Sequence, residues 1–286
     1  MINFFKKIFF LKQKKTIYLI ETDNDTDFVE NNLIRENLIG IDTEFEWRST
    51  YFPKLSLIQI STLENIFLID CVKLKSLEFL HNILSNEEKL IIFHASRSDI
   101  TVLNTNLGIK IKNVFDIQIA EKIINNEEIK SYGAIVNNYF SIILKKSETN
   151  SNWLKRPFSN DQLNYAAEDV SFLIEIYKKQ VKKLNKLNLL EKVFNLSRME
   201  ANLGNQELYV SRLSKLKKAS RLEKKIFFWR EKKAEKRNVP PSKIFQDKNL
   251  KFLAKNFEKE NFKEDFLTKI FKDSILLQEF IEEMNL

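Results

Sequence analysis

The run Leu38-Ile39-Gly40-Ile41-Asp42-Thr43-Glu44-Phe45 constrains this chain more than any other stretch. An apolar segment with the character of a buried strand ends in two carboxylates separated by one residue. Successive side chains on a strand point to opposite faces, so Asp42 and Glu44 project to the same side. Two anions held that close raise each other's pKa unless a cation lies between them, and a divalent metal is the simplest such cation. Taken alone, the pattern is more often a strand end entering a polar turn. The rest of the chain decides between the two.

Around this run the hydrophobic pattern predicts a strand at 17–21, a capped helix at 22–37, and two further strands at 55–62 and 65–70. Their short connections predict an antiparallel meander. A helix at 74–84 and a buried strand at 89–93 follow. Helices at 98–107, 116–125 and 131–140 come next, with a short strand at 113–115. Strands and helices in this order predict an α/β fold, a mixed sheet covered by helices. After an irregular stretch from 145 to 157, Ser159-Asn160-Asp161-Gln162 reads as a capping box. It opens a helix that carries Tyr165 and Asp169 on one face, four residues apart. Beyond Asn188 the pattern is helical and lysine-rich. A long helix ends near Arg237, ahead of Pro240-Pro241, and short helices start near Asp247 and Glu264.

At 286 residues there is room for one large domain and a small one. No run of ~18 apolar residues is present, so no membrane-spanning helix is expected. The single cysteine, Cys71, cannot close an internal disulfide, and two histidines are too few for a His/Cys zinc site. A reduced, cytoplasmic protein is the expectation. Residues 1–15 interleave Phe and Ile with lysines and are read as an N-terminal extension in preference to the alternative for the same residues, a basic amphipathic helix at a membrane surface. The net charge of +8 is uneven. Residues 205–286 carry a net +7 and the remainder a net +1, with 12 basic and 3 acidic residues between Arg212 and Arg237. This predicts a nearly neutral catalytic part joined to a basic part that holds a polyanion; the competing reading is a solvated, lysine-rich helix face.

Four acids and a tyrosine then fall in a telling order: Asp42 and Glu44 at a strand end, Asp99 at a helix start, Tyr165 and Asp169 on a late helix. In Ile41-Asp42-Thr43-Glu44-Phe45, Phe93-His94-Ala95-Ser96-Arg97-Ser98-Asp99 and Tyr165-Ala166-Ala167-Glu168-Asp169 the sequence resembles the DEDD superfamily of 3′–5′ exonucleases. Within it, the tyrosine-containing ribonuclease D family is the match. Tyr51-Phe52-Pro53-Lys54-Leu55, Val114-Phe115-Asp116-Ile117-Gln118 and Trp153-Leu154-Lys155-Arg156-Pro157 are similar to further segments of that family. Beyond them, Phe228-Trp229-Arg230-Glu231 through Arg237-Asn238-Val239-Pro240 is similar to an HRDC domain. There is room for one such domain where family members commonly carry two, and Pro157-Phe158 stands where the family often has Pro-Leu.

The resemblance implies a ribonuclease H-like mixed sheet followed by a small all-α HRDC-like domain. The expected boundaries are an extension at 1–15, an exonuclease domain at 16–190, a helical linker at 191–204 and an HRDC-like domain at 205–286. It implies a 3′–5′ exoribonuclease that hydrolyses RNA from a free 3′ end with two divalent ions, Mg²⁺ or Mn²⁺, above all on tRNA precursors. No membrane and no obligate protein partner is implied. In the family's scheme Asp42 bridges both ions, Glu44 and Asp169 complete one site, Asp99 holds the second and Tyr165 orients the attacking water. Oxygen ligands suit Mg²⁺ or Mn²⁺ better than zinc. His94 is read as structural. Arg48, Tyr51 and Lys54 are weighed as RNA contacts against a solvated loop, and Arg156 as a phosphate contact. Lys217, Lys218, Lys224 and Lys225 are the expected phosphate-holding residues of the basic part. Two alternatives stay open: a 3′–5′ exonuclease acting on DNA, and a non-catalytic RNA-binding adaptor.

Overall fold

The computed structural model describes residues 6–8, 15–145, 147–214, 216, 218–257 and 266–284. They fall into two units: residues 1–46 with 54–206, and residues 47–53 with 207–286.

The first unit is built on a mixed sheet of seven strands among the described residues, in the order β1-β2-β5-β4-β3-β6-β7. The strands are β1 (Lys6–Ile8), β2 (Thr16–Ile20), β3 (Leu38–Glu46), β4 (Lys54–Ser61), β5 (Asn65–Asp70), β6 (Leu90–Phe93) and β7 (Val114–Asp116). β3, β4 and β5 form the expected antiparallel meander, and β6 and β7 extend it in parallel from β3. β1 pairs antiparallel with β2 at the sheet edge, so part of the segment read as an extension is a strand. Residues 1–5 and 9–14 of that segment lie outside the described residues.

Alternation along the strands divides the core in two. Ile66 and Leu68 of β5 enter one cluster, with residues of α4 (Ile117–Asn125), α5 (Tyr132–Phe140), α6 (Asn160–Ser171), α7 (Leu173–Leu187) and α8 (Leu190–Gly204). Phe67 and Ile69 enter the other, with residues of α1 (Thr26–Leu33), α2 (Phe79–Leu84) and α3 (Arg97–Leu107). Ile39 and Ile41 of β3 face this second cluster. Gly40, Asp42 and Glu44 therefore face α6 and α7. A Cβ on Gly40 would lie 2.7 Å from Ser61 Oγ and 2.9 Å from Leu173 Cβ, so the missing side chain is what lets α7 start against β3.

Two predicted helices are shorter than their patterns. A 3₁₀ turn, Asp23–Asp25, precedes α1, and the Lys89 ammonium donates to the carbonyls of Leu33, Ile34 and Glu36 where α1 ends. The helix expected from Leu74 starts at Phe79; upstream of it, Lys75 N–H donates to the Asp23 carboxylate. The stretch 191–204, expected as a linker, is most of α8 and packs in the first unit.

The second unit is helical: α9 (Leu208–Leu213), α10 (Arg221–Arg237), α11 (Pro241–Ile244), α12 (Lys248–Phe257), α13 (Leu267–Ile270) and α14 (Ser274–Met284). Its core gathers Ile226, Phe227, Trp229, Phe245, Leu253, Phe271 and Phe280, and also Tyr51. The loop 47–53 thus belongs to this unit, a boundary the sequence expectation drew elsewhere. Trp47 Nε1 donates to Tyr51 O, and the backbone N–H groups of Tyr51 and Phe52 donate to Asn238 Oδ1. No helix among the described residues is long and apolar enough to cross a membrane.

Candidate active site

The three expected elements converge on the end of β3 that carries the D-x-E pair. The α6 helix starts at Ser159, whose side chain and that of Gln162 form the reciprocal capping box. It places Tyr165 and Asp169 one turn apart, toward β3. The Ser61 hydroxyl donates to the Val170 carbonyl at 2.8 Å and fixes the helix against β4. Carboxylate oxygens of Asp42, Glu44 and Asp169 all lie within 4.8 Å of one another.

Asp99 reaches the site from the other side of the strand. β3 pairs with β6 only from Leu38 to Gly40, which leaves the Thr43 N–H beyond the ladder. Asp99 Oδ1 takes that donor at 3.1 Å and the Thr43 hydroxyl at 2.6 Å. The residue between the two acids of the D-x-E pair is therefore a positioning group for a third. Sequence reasoning missed this role of Thr43; the signal was a β-branched hydroxyl residue inside the motif. Asp99 is not part of the group of three, although the charges of Asp42 and Asp99 bear on each other.

The turn into α3 is held by Asp116, which also caps α4. Its carboxylate accepts from the N–H groups of Ala95, Ser96 and Gln118 at 3.1, 2.8 and 2.9 Å. Ala95 is in the left-handed region at φ 62°, a conformation held in place by these bonds.

Burial dominates the electrostatics. It raises the Asp42 carboxyl well above the usual range, and the nearby Asp169 adds to this. Glu44 is pushed up to about 10 by burial, then by Asp42 and Asp169. Asp99 is raised by burial and by Asp42. Asp169 is raised to about 7 by burial, offset in part by its hydrogen bond from Tyr165. Four such carboxyls, all hard oxygen donors, fit a divalent cation: it would restore their charge and remove the repulsion. The Tyr165 phenol is raised by burial and by Asp169, so it stays protonated and can donate; it also lies 3.3 Å from Thr149 Oγ1.

Asp42, Tyr165 and Asp169 open into a cavity of about 170 Å³, completed by Ile41, His94, Tyr132 and Leu173. His94 Nε2 lies 3.1 Å from the Lys130 carbonyl, with its ring edge-on to Tyr132, and burial lowers its pKa. The Tyr132 hydroxyl donates to the Glu168 carbonyl and accepts from Phe172 N–H, bracing the α6–α7 junction. Both are committed to internal bonds, yet both line the site.

The expected substrate contacts fare differently. Arg156 is committed internally: Nε and Nη2 hold the buried Asp70 at 2.6 and 2.7 Å, Nη1 binds the Trp153 carbonyl, and the guanidinium stacks on Phe158. Its fork braces the segment ahead of α6, a correction to the phosphate expectation. Tyr51 is likewise no surface contact: it is 2% exposed, with Arg212 over its ring. Arg48 and Lys54 are exposed. In the basic block, Arg212, Arg230, Lys233 and Arg237 are paired with Glu231, Asp247, Glu279 and Asp273. Lys218, Lys224 and Lys225 are exposed, and Lys217 lies outside the described residues.

Comparison with known proteins agrees with this geometry. A family model described as 3′–5′ exonuclease matches residues 18–185, and an HRDC domain model matches residues 220–261. A ribonuclease D of Desulfotalea psychrophila is 30% identical over 254 residues, 82% of this chain and 66% of that one. The crystal structure of Escherichia coli RNase D, described as an exoribonuclease involved in structured RNA processing, superposes with a TM-score of 0.73. Its identity is 24%, over 82% of this chain and 65% of the other. The chain thus spans just under two thirds of the length of these two. Brucella melitensis NrnC with bound Mg²⁺ shares the fold at a TM-score of 0.58 and 19% identity, over 71% of this chain and 96% of that one.

Proposed function

This chain belongs to the 3′–5′ exonuclease family, and from that premise we infer that it removes nucleotides from RNA 3′ ends by metal-dependent phosphodiester hydrolysis. The observation that carries the reading is the carboxylate trio on β3 and α6, with a protonated tyrosine one turn from its last member. Asp42, Glu44 and Asp169 would hold one divalent ion, and Asp99 beside Asp42 would share a second. The ions supply Lewis-acid stabilisation of charge on the attacking and leaving oxygens.

The chain's own residues do the rest. The Tyr165 hydroxyl, donating to Asp169, accepts a hydrogen bond from a water and so orients it beside Asp169. A phenol raised by burial is a poor base, so its part is positioning. Thr43 holds Asp99, and the Asp116-braced turn holds the start of α3. The cavity beside Asp42 and Asp169 gives the 3′-terminal nucleotide a recess walled by His94 and Tyr132. RNA is favoured over DNA by similarity to ribonuclease D, and structured precursors such as tRNA are the natural class.

A time course on matched RNA and DNA oligonucleotides with 3′ overhangs tests this, in Mg²⁺, Mn²⁺ or EDTA. Stepwise shortening of RNA from the 3′ end, stopped by EDTA, is expected. Shortening of DNA alone would replace the substrate, and no shortening of either would leave the binding-adaptor reading.

A further inference from the structure

The near-neutral total of the first unit conceals a concentrated basic face. Between Ile176 and Leu187, α7 carries Lys178, Lys179, Lys182, Lys183 and Lys186 and no acidic residue. At 100° per residue these five fall within an arc of about 140°. The opposite face is the buried one, with Ile176, Gln180 and Leu184. All five lysines are exposed, and none makes an ion pair among the described residues. The one acid of the helix, Glu175, is paired with Lys15.

Two features tie this face to the acidic site. The α7 helix begins at Leu173, which lines the cavity beside Asp42 and Asp169. The lysines then follow at about 7 to 20 Å along the helix axis. Lys183 sits 4.5 Å from the Tyr139 ring and Lys179 5.2 Å from that of Phe140. Both rings belong to α5, whose first residue, Tyr132, lines the same cavity. Ammonium groups beside aromatic rings, about one to four helical turns from a cleavage site, suit a phosphodiester backbone.

We propose that the α7 lysine face binds the upstream phosphodiester backbone of the RNA whose 3′ end occupies the acidic site. The proposal rests on the exonuclease reading for the identity of the strand. It divides RNA holding between this face and the helical unit, where part of the basic block is spent on internal ion pairs. Like charges this dense on one helix repel one another and cost stability unless an anion lies across them.

The test is binding by the full chain in EDTA, so that nothing is cut, read by fluorescence anisotropy on 5′-labelled RNAs of 3 and 20 nucleotides. A variant with all five lysines changed to Gln is compared with wild type. A second variant, Lys218→Gln, Lys224→Gln and Lys225→Gln, marks the helical unit's share. The α7 variant is expected to bind the 20-mer at least 30-fold more weakly at 0.1 M salt. Its salt slope should fall by about 0.7 for each phosphate that the lysines no longer neutralise. Trinucleotide affinity should change less than threefold, and the melting temperature should hold or rise. Unchanged 20-mer affinity and salt slope would overturn the proposal. So would a drop in affinity carried entirely by the second variant, or weakened anionic-vesicle binding with RNA affinity intact. Cutting of the trinucleotide by wild type in Mg²⁺ is scored separately: its failure would remove the exonuclease reading and leave the binding result standing.

Discussion

The acids of the site are destabilising residues in the metal-free chain, and this fixes the sign of several outcomes. Burial raises Asp42, Asp99, Glu44 and Asp169, the last two to about 10 and about 7. In the unfolded chain such groups titrate near 4. Between those values the folded state keeps protons that the unfolded state has released. Stability is therefore full below about pH 4 and falls as pH rises through the folded values. In EDTA the melting temperature should be lower at pH 8 than at pH 5, and Mg²⁺ should narrow the gap. A metal-free melting temperature that climbs across that range would remove the electrostatic account. Asp42→Asn should abolish hydrolysis and raise the metal-free melting temperature at pH 8; activity within tenfold of wild type would take Asp42 out of the site. Tyr165→Phe should slow hydrolysis by roughly 10²-fold, since it removes a group that orients water. Calorimetric Mg²⁺ affinity should barely move, and a large drop there would make Tyr165 a ligand.

At the level of elements, the segment ahead of α6 is locked by a buried ion pair. Asp70 is fully buried at the end of β5, and Arg156 supplies its countercharge. Arg156→Gln leaves that carboxylate uncompensated and should cost about 3–5 kcal/mol in urea unfolding. Had Arg156 been a phosphate contact, the same change would raise KM and leave stability intact. Gly40→Ala tests the packing of β3 on α7: its methyl meets Ser61 Oγ and Leu173, and overpacking should cost about 1–3 kcal/mol. These two cases also show where sequence reading reaches. The D-x-E strand, the meander and the Ser159 capping box were legible because each is a local pattern of period, spacing or cap. The Arg156–Asp70 and Thr43–Asp99 pairings, across 86 and 56 residues, were not. An arginine beside a proline has the same local sequence whether it faces a phosphate or a buried aspartate. The α7 lysines were hidden in another way, because their charge is cancelled in the domain total by the acids of the site and of distant surfaces.

On the scale of the whole molecule, the two units are interleaved along the chain. β3 carries Asp42 and Glu44 and ends at Glu46; the next seven residues belong to the helical unit, and β4 resumes at Lys54. A β-bulge falls between Glu44 and Phe45, directly before that excursion. The net charge suggests a simple division of labour, in which a chain ending near Leu203 would still cut short RNA at full rate. The loop changes that expectation. Without residues 207–286, Tyr51 loses the core that buries it, and the Tyr51 and Phe52 N–H groups lose Asn238. A seven-residue loop then closes the β3–β4 hairpin, keeping the Trp47–Tyr51 bond and the Tyr51–Phe52 ring contact but losing the core beneath them. The conformational entropy recovered by that loop favours disorder next to the register shift that follows Glu44. A chain ending at Gln206 should therefore be cut rapidly by chymotrypsin within 47–53, where the full chain resists. It should also need more Mg²⁺ for half-maximal hydrolysis of a short RNA. In the full chain, Asn238→Ala should reproduce part of the proteolytic effect, because it removes the acceptor of both loop N–H groups. Equal protease resistance of the loop in the long and short chains, with equal Mg²⁺ dependence, would restore the simple division.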